Sequence, residues 1–412
     1  LWSAFLAVHG WVAVLGVAVV PIESFHDVDL YRWWMWQGLA QGRWPVLDDP
    51  SVYPAGAIVP MLLPALVTAV STPGYAVAWS VLVTALDAAA LGLLLARTGS
   101  TRAGWWWTAF LLLIGPVGVG RLDGVVAPLM VVVLLLGTDT RPGSRAAAAL
   151  ATWGAWIKVA PGALVLPLAA AARRPVRDVV LPVAAVCAAV LAAVAAGGGL
   201  GRVGGFLLDQ GSRGLQVESV AATPFVALAL VRDDVAIVLN QGLVTYEVAG
   251  PGTTAAAHVA DALLVAAVLA VAAALVLARR RGVADAALLP ASLTLLVVLV
   301  AANKVGSPQY LMWFVAPVVV ALARSAVPPR RWVVPAATTT LVAAALTQVV
   351  FPWGYPGLLT GDVWVTTALA VRNAQLVVLL GIAVAGFARS LRSDPAPAAP
   401  TWGPPCAGAG PA

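Results

Sequence analysis

The chain has 412 residues, 61% of them hydrophobic and 10% charged, with a mean hydropathy of +0.93. A soluble globular body of that length needs far more polar surface, so the composition excludes a water-soluble enzyme and points to a single polytopic membrane domain. The net charge of +6 comes from short arginine clusters between apolar runs, a topology signal that gives no sign of nucleic-acid binding.

In chain order, residues 1–20 form a first apolar helix long enough to stay as an anchor. Residues 23–54 read as a charged loop on the membrane surface. They carry Glu23, His26, Asp27, Asp29, Arg32, Arg43, Asp48 and Asp49 among Trp33, Trp34, Trp36 and Trp44. Residues 54–71, with Pro54, Pro60 and Pro64, read as a helix lying at or dipping into the outer leaflet, so that 23–74 forms a first outer loop with interfacial helices. Residues 75–96 then cross.

GVGRLDG at 118–124 separates two helices and sets Arg121 and Asp123 at an outer turn. The stretch between Arg145 and Arg173 is too long for one comfortable span, and reads as two short helices meeting at an outward-facing Lys158. Residues 178–198 cross, and 199–257 make a second large outer segment. Runs at 258–278, 284–302, 308–323, 332–351 and 364–388 complete one membrane domain over residues 1–388.

No alternation of strand length recurs, so the expected fold is all-α, a bundle of about twelve transmembrane helices with outer-face loops and short interfacial helices. Arginine clusters place both termini in the cytoplasm. A tail at 389–412, rich in Pro, Ala and Gly, is expected to be disordered. Cys187 reads as small buried filler, and a disulfide to Cys406 is not expected.

The sharpest chemical signal is HDVDLY at 26–31. A carboxylate of Asp27 or Asp29 there suits a general base that takes the proton of an acceptor hydroxyl. The same residues also fit a solvated loop whose acids pair with Arg32 and Arg43.

Five cations at outer helix ends run against the positive-inside rule and are candidate phosphate ligands: Lys304, Lys158, Arg213, Arg121 and Arg202. Lys304 lies among Asn303, Ser307, Gln309 and Tyr310, and Arg213 lies near Gln216 and Glu218. Each has a plainer reading, such as a polar turn before Pro308 or an Arg121–Asp123 salt bridge closing a turn. His26, Tyr31 and Tyr53 complete the expected substrate contacts.

With three histidines and no HxxxH or Cys cluster, no dedicated zinc site is expected. A divalent cation on Asp27 and Asp29 is compatible and not required. Asp87, inside a span, is expected to bond a neighbouring helix, and Trp105, Trp106 and Trp107 to mark an interface. GGGLG at 197–201 lacks the Lys and Ser/Thr of a phosphate loop and reads as a helix end.

HDVDLYRWW, GRWPVLDDPSVYPAGA, GRLDG, WIKVAPGALVLP followed by RR, SRGLQVES and NKVGSPQYLMWFVAP occur in this order over roughly residues 20–325. In this combination the chain resembles the GT-C superfamily of polyprenyl-phosphate-sugar-dependent glycosyltransferases, and is most similar to family 87, an actinobacterial mannosyltransferase-like group. Family members usually show YPPGA where this chain has Tyr53, Pro54, Ala55, Gly56 and Ala57, a change that relaxes a turn and removes no chemical group.

The resemblance implies inverting transfer of a hexose, with mannose expected, from a polyprenyl-phosphate carrier to a glycolipid or glycan acceptor outside the plasma membrane. Asp27 is implied as the base, with Asp29 as orienter or as the base itself. Partners would be donor, acceptor and membrane lipids. The rival reading is a lipid or glycolipid flippase without covalent chemistry, which would favour polar residues near the midplane and repeated halves.

Overall fold

The computed structural model describes residues 1–138, 141–206, 213–242, 244–325 and 331–393. Over these described residues it is 76% helical, with sixteen α-helices and little strand. Among the described residues, seven helical segments are long and apolar enough to cross a membrane: Trp2–Val19, Thr72–Thr98, Val176–Ala196, Thr253–Arg280, Ala284–Ala301, Val333–Trp353 and Val363–Ser390. The chain is an all-α membrane protein. Shorter apolar helices occupy Ala55–Ala65, Asp123–Gly137, Ala160–Ala171 and Pro308–Arg324. The expected runs at 75–96, 178–198, 284–302, 332–351 and 364–388 each have bounds within about three residues of an observed segment.

The elements are α1 (Trp2–Val14), α2 (Pro21–Gln41), α3 (Ile58–Ala65), α4 (Thr72–Thr98), α5 (Thr101–Ile114), α6 (Asp123–Gly137), α7 (Arg141–Ile157), α8 (Val165–Ala171), α9 (Leu181–Ala196) and α10 (Thr223–Leu228). A hairpin of β1 (Ala236–Asn240) and β2 (Thr245–Ala249) follows. The chain then continues with α11 (Thr253–Arg280), α12 (Ala284–Ala301), α13 (Val315–Arg324), α14 (Val333–Gln348), α15 (Tyr355–Leu359) and α16 (Val363–Ser390).

Burial separates central from peripheral helices. In α12, 67% of the apolar window is buried, against 17% in α11 and in the Val176–Ala196 segment. The main core therefore gathers around α12, with Leu293, Leu296 and Val297 packed among Phe110, Leu134, Phe314 and Leu376. Apolar side chains of α9 and α11, such as Leu181, Leu263 and Leu269, remain outside it, as suits lipid contact.

Two expectations change. Residues 23–41 are not loop: α2 is one 21-residue helix that starts at Pro21, carries Glu23 in its first turn and ends on Gly42 in the left-handed conformation. Pro at the helix start and Gly just beyond its end are the usual boundary residues. Ser24, Phe25, Val28, Tyr31, Met35 and Gly38 form a buried stripe at three-to-four-residue spacing, which the density of charge on the other faces masks in the sequence. The 199–257 segment, where no strand was expected, holds a hairpin, because β1 and β2 pair antiparallel from Ala236 opposite Ala249 to Asn240 opposite Thr245.

The tail lies outside the described residues from position 394 onward, while α16 runs to Ser390, past the expected start of disorder. Cys187 is half-buried rather than buried, and Cys406 lies outside the described residues.

Candidate active site

The site is built where α2 meets the turn before α6. A Cβ at Gly120 would lie 2.6 Å from the Ser24 carbonyl oxygen, so only glycine lets this turn approach the first turn of α2 so closely. The indole of Trp79 holds the turn from the other side by donating to the Val119 carbonyl at 2.8 Å. Arg121 is thereby laid along the start of α2. It donates to the carbonyls of Ser24, Gly120 and Glu23, and its Nε lies 3.2 Å from Oδ2 of Asp27.

Tyr53 donates its hydroxyl to the same Oδ2 at 3.3 Å, and Tyr31 lies 3.3 Å from that hydroxyl. Both contacts fall on Oδ2, so among the described residues Oδ1 of Asp27 has no hydrogen-bond donor. The Asp27 side chain is 25% exposed, enough for a substrate hydroxyl to reach.

A second pair closes the other side. Lys158 stands between α7 and the 3-10 turn at Ala160–Leu164, as expected for two short helices meeting there. Its Nζ is 2.6 Å from Oδ2 of Asp123, whose Oδ1 accepts from the Trp313 indole at 2.6 Å. The ammonium also faces the rings of Tyr53 at 5.6 Å and Tyr310 at 5.5 Å, within cation–π range. Burial opposes the charge on Lys158, but the adjacent Asp123 and the two tyrosines outweigh it and raise its pKa, so it stays protonated. Burial and the nearby Asp27 raise the Tyr53 phenol, which remains a donor.

Asp29 is not part of this site. Two positions along a helix turn the side chain by roughly 200°, and Asp29 instead accepts from Arg32 at 2.7 Å and Thr72 at 2.8 Å. Partial burial opposes its ionisation, but these hydrogen bonds and the Arg32 charge prevail and hold its pKa below the usual value. His26 is exposed. Asp27 and Asp29 therefore do not converge on one cation. Among the described residues no group of three or more His, Cys, Asp or Glu side chains does so either.

The other expected residues divide. Tyr310 stacks on Trp313 at 4.4 Å and feels the charges of Lys158, Asp123, Arg213 and Asp27, which ties Arg213 to the same neighbourhood. With the Gln216 amide oriented to satisfy both neighbours, it accepts from Arg213 at 3.0 Å and donates to the Gly306 carbonyl at 3.1 Å. A Cβ at Gly306 would collide with the Ser219 nitrogen, so glycine there admits the 216–219 segment.

Lys304 is not an open phosphate ligand: it forms an ion pair with Asp261 at 2.9 Å, and its carbonyl accepts from the Gln216 backbone. Asn303 and Ser307 close local turns, accepting from the Val305 nitrogen and donating to Gln309 respectively. Arg202 is tied to the Leu47 carbonyl at 2.6 Å, which joins the 23–54 and 199–257 segments. Glu218 is spent on Arg372 at 3.0 Å, with both side chains buried. The plainer alternative for Arg121, a salt bridge to Asp123 that closes the turn, does not form, because Arg121 pairs with Asp27 and Asp123 with Lys158.

Sequence reasoning did not pick out Asp123 as the Lys158 partner, nor Trp313, Asp261, His9 or Arg372. Arg372 carried a usable signal, since it is a cation inside the apolar run of α16. Asp87 does bond a neighbouring helix, and the partner is His9 of α1 at 3.0 Å. Trp106 and Trp107 pack in the core, with the Trp106 indole on the Ala337 carbonyl, and only Trp105 of that run is exposed. No protein-family model matches the chain, and no curated protein matches its sequence.

Proposed function

We propose that the chain is a GT-C-type membrane glycosyltransferase that moves a hexose, with mannose as the first candidate, from a polyprenyl-phosphate carrier to a glycolipid or glycan acceptor at the outer face. The single observation that supports this best is the pairing of a carboxylate that has one open oxygen, Asp27, with a charged Lys158 on the far side of Tyr53. Asp27 would take the acceptor hydroxyl proton through Oδ1 while that hydroxyl attacks the anomeric carbon from the face opposite the leaving phosphate. Arg121 and Tyr53 hold Asp27 in place. Lys158, with donors beyond the one used by Asp123, and Arg213 would meet the phosphate charge as the glycosidic bond breaks. Bringing donor and acceptor to one cluster at a helix end supplies the proximity the reaction needs.

The bundle would cross the membrane about twelve times. The seven long segments would be joined by 101–118, 123–137, 141–157, 160–171 and 308–324, with 55–65 dipping into the outer leaflet. Arginine-bearing ends would face the cytoplasm of the plasma membrane.

The test is transfer from labelled polyprenyl-phosphate-mannose in membranes containing wild type, Asp27→Asn or Asp29→Asn, at matched protein levels. Wild type should form product, Asp27→Asn should lose about 10²- to 10⁴-fold, and Asp29→Asn should keep most activity. Silence of the wild type across a panel of polyprenyl-linked sugars would overturn the transferase reading in favour of a flippase.

A further inference from the structure

The arginine-bearing end of the bundle holds a cavity of about 460 Å³ between the start of α12, the start of α14 and the last turn of α16. It lies far from Asp27. Arg389 is seventeen residues beyond Arg372 on α16, roughly 25 Å along the axis, and Arg372 already pairs with the outer segment at Glu218. Arg331 and Arg389 line the cavity with Ser390 and Ser393, the Trp332 indole forms a wall, and Asp285 is the one acid among the described lining residues. Gly386 lets that wall close, because a Cβ there would meet the Trp332 ring at 2.8 Å.

Three features set this cavity apart from an ordinary basic surface. Among the described residues neither Arg331 nor Arg389 has an ion-pair partner, unlike Arg121, Arg145 and Arg372. Arg281, next in sequence to the lining residue Gly282, donates to the Leu391 carbonyl at 3.2 Å. A smaller adjoining cavity of about 160 Å³ shares Asp285, Ala286 and Trp332 and adds Arg324 with the hydroxyls of Thr138 and Ser325. Guanidiniums beside hydroxyls match a phosphate group, and the larger volume falls within the roughly 300–1,000 Å³ of small-molecule sites. Helix ends with tryptophan and arginine are also where lipid headgroups lie.

We propose that this cavity binds the phosphate of an anionic membrane phospholipid, as a site separate from the Asp27 cluster and independent of the transferase reading.

The experiment titrates the purified full-length protein with short-chain phosphatidylglycerol, phosphatidylcholine or inorganic phosphate and counts bound molecules by native mass spectrometry. Phosphatidylglycerol should bind in preference to phosphatidylcholine. The Arg331→Ala/Arg389→Ala double variant should weaken it roughly 30-fold, at about a fivefold loss per arginine near the headgroup. Asp285→Asn should tighten binding, a gain that misfolding does not produce. Arg173→Ala/Arg174→Ala removes equal charge from exposed positions outside the cavity and should leave the affinity unchanged. An equal loss in that control, or the same affinity in all variants, would overturn the site. Inorganic phosphate displacing the lipid at comparable concentration would overturn the lipid assignment.

Discussion

Lys158 and Asp123 are thirty-five positions apart and meet at 2.6 Å, with the acid fully buried and the base 14% exposed. This contact decides the neighbouring pairing as well. Because Asp123 is taken by Lys158 and the Trp313 indole, Arg121 turns to Asp27 and the first turn of α2. Arg121 gives three hydrogen bonds to carbonyls and sets its Nε against Asp27, so it serves as a positioning residue for Asp27 and is poorly placed to bind phosphate.

Replacing Lys158 by Met should therefore damage both donor binding and folding, since it strands a buried carboxylate. The Lys158→Met/Asp123→Asn double variant should recover stability but not activity. Thermal unfolding in detergent, read beside transfer kinetics, separates the two. A coupling energy of about 0.5–3 kcal/mol between the residues is expected for side chains in contact.

Arg372 and Glu218 are 1% and 4% exposed, and they join α16 to the segment that carries Gln216 and Arg213. Removing either alone, as Arg372→Met or Glu218→Gln, should cost about 3–5 kcal/mol, the usual penalty for leaving one buried charge unpaired. Replacing both should cost clearly less than the sum. Denaturant unfolding of the four proteins of the cycle checks this, and strictly additive losses would refute the pairing.

Asp29 gives a pH signature distinct from Asp27. Its folded-state pKa lies below the unfolded one, so its contribution is fully present above the unfolded pKa and is lost as pH falls through the folded value. The stability gap between wild type and Asp29→Asn should be level near neutrality and close below about pH 4. Its side chain is 45% exposed, so the gap should be small. Parallel melting curves across that range measure it.

Gly306→Ala should be disruptive although it adds one methyl group, because the new Cβ would press on the backbone of Glu218 and Ser219 within 2.6 Å. A loss of about 1–3 kcal/mol is typical of overpacking. Gly201→Ala, where a Cβ meets nothing within 4 Å, is the matched control. Comparable unfolding temperatures for the two variants would contradict the close approach.

Much of the architecture was legible in the one-dimensional pattern. Apolar runs long enough to span a bilayer must be helical, since lipid offers no partner for free backbone groups, and arginine clusters mark where such runs end. Lys158 between two short helices and Asp87 bonded across helices follow from the same reasoning, because a charge amid apolar sequence is costly unless it is met.

Local pairing was legible, since Arg32 meets Asp29 and Arg43 meets Asp49, but pairing between distant segments was not, because it depends on which faces meet. HDVDLY looks like a pair of acids acting together, yet α2 turns Asp27 toward Arg121 and Tyr53 and Asp29 toward Arg32 and Thr72. Among the cations stranded at helix ends, Lys304 is met by Asp261, Arg202 by a carbonyl and Arg121 by Asp27, and Lys158 keeps donors to spare. Composition and the apolar runs determined that this chain lies in a membrane and where its long apolar helices run, though not the charged helix α2. Which charges neutralise one another was decided only when helices distant in sequence packed within hydrogen-bonding distance.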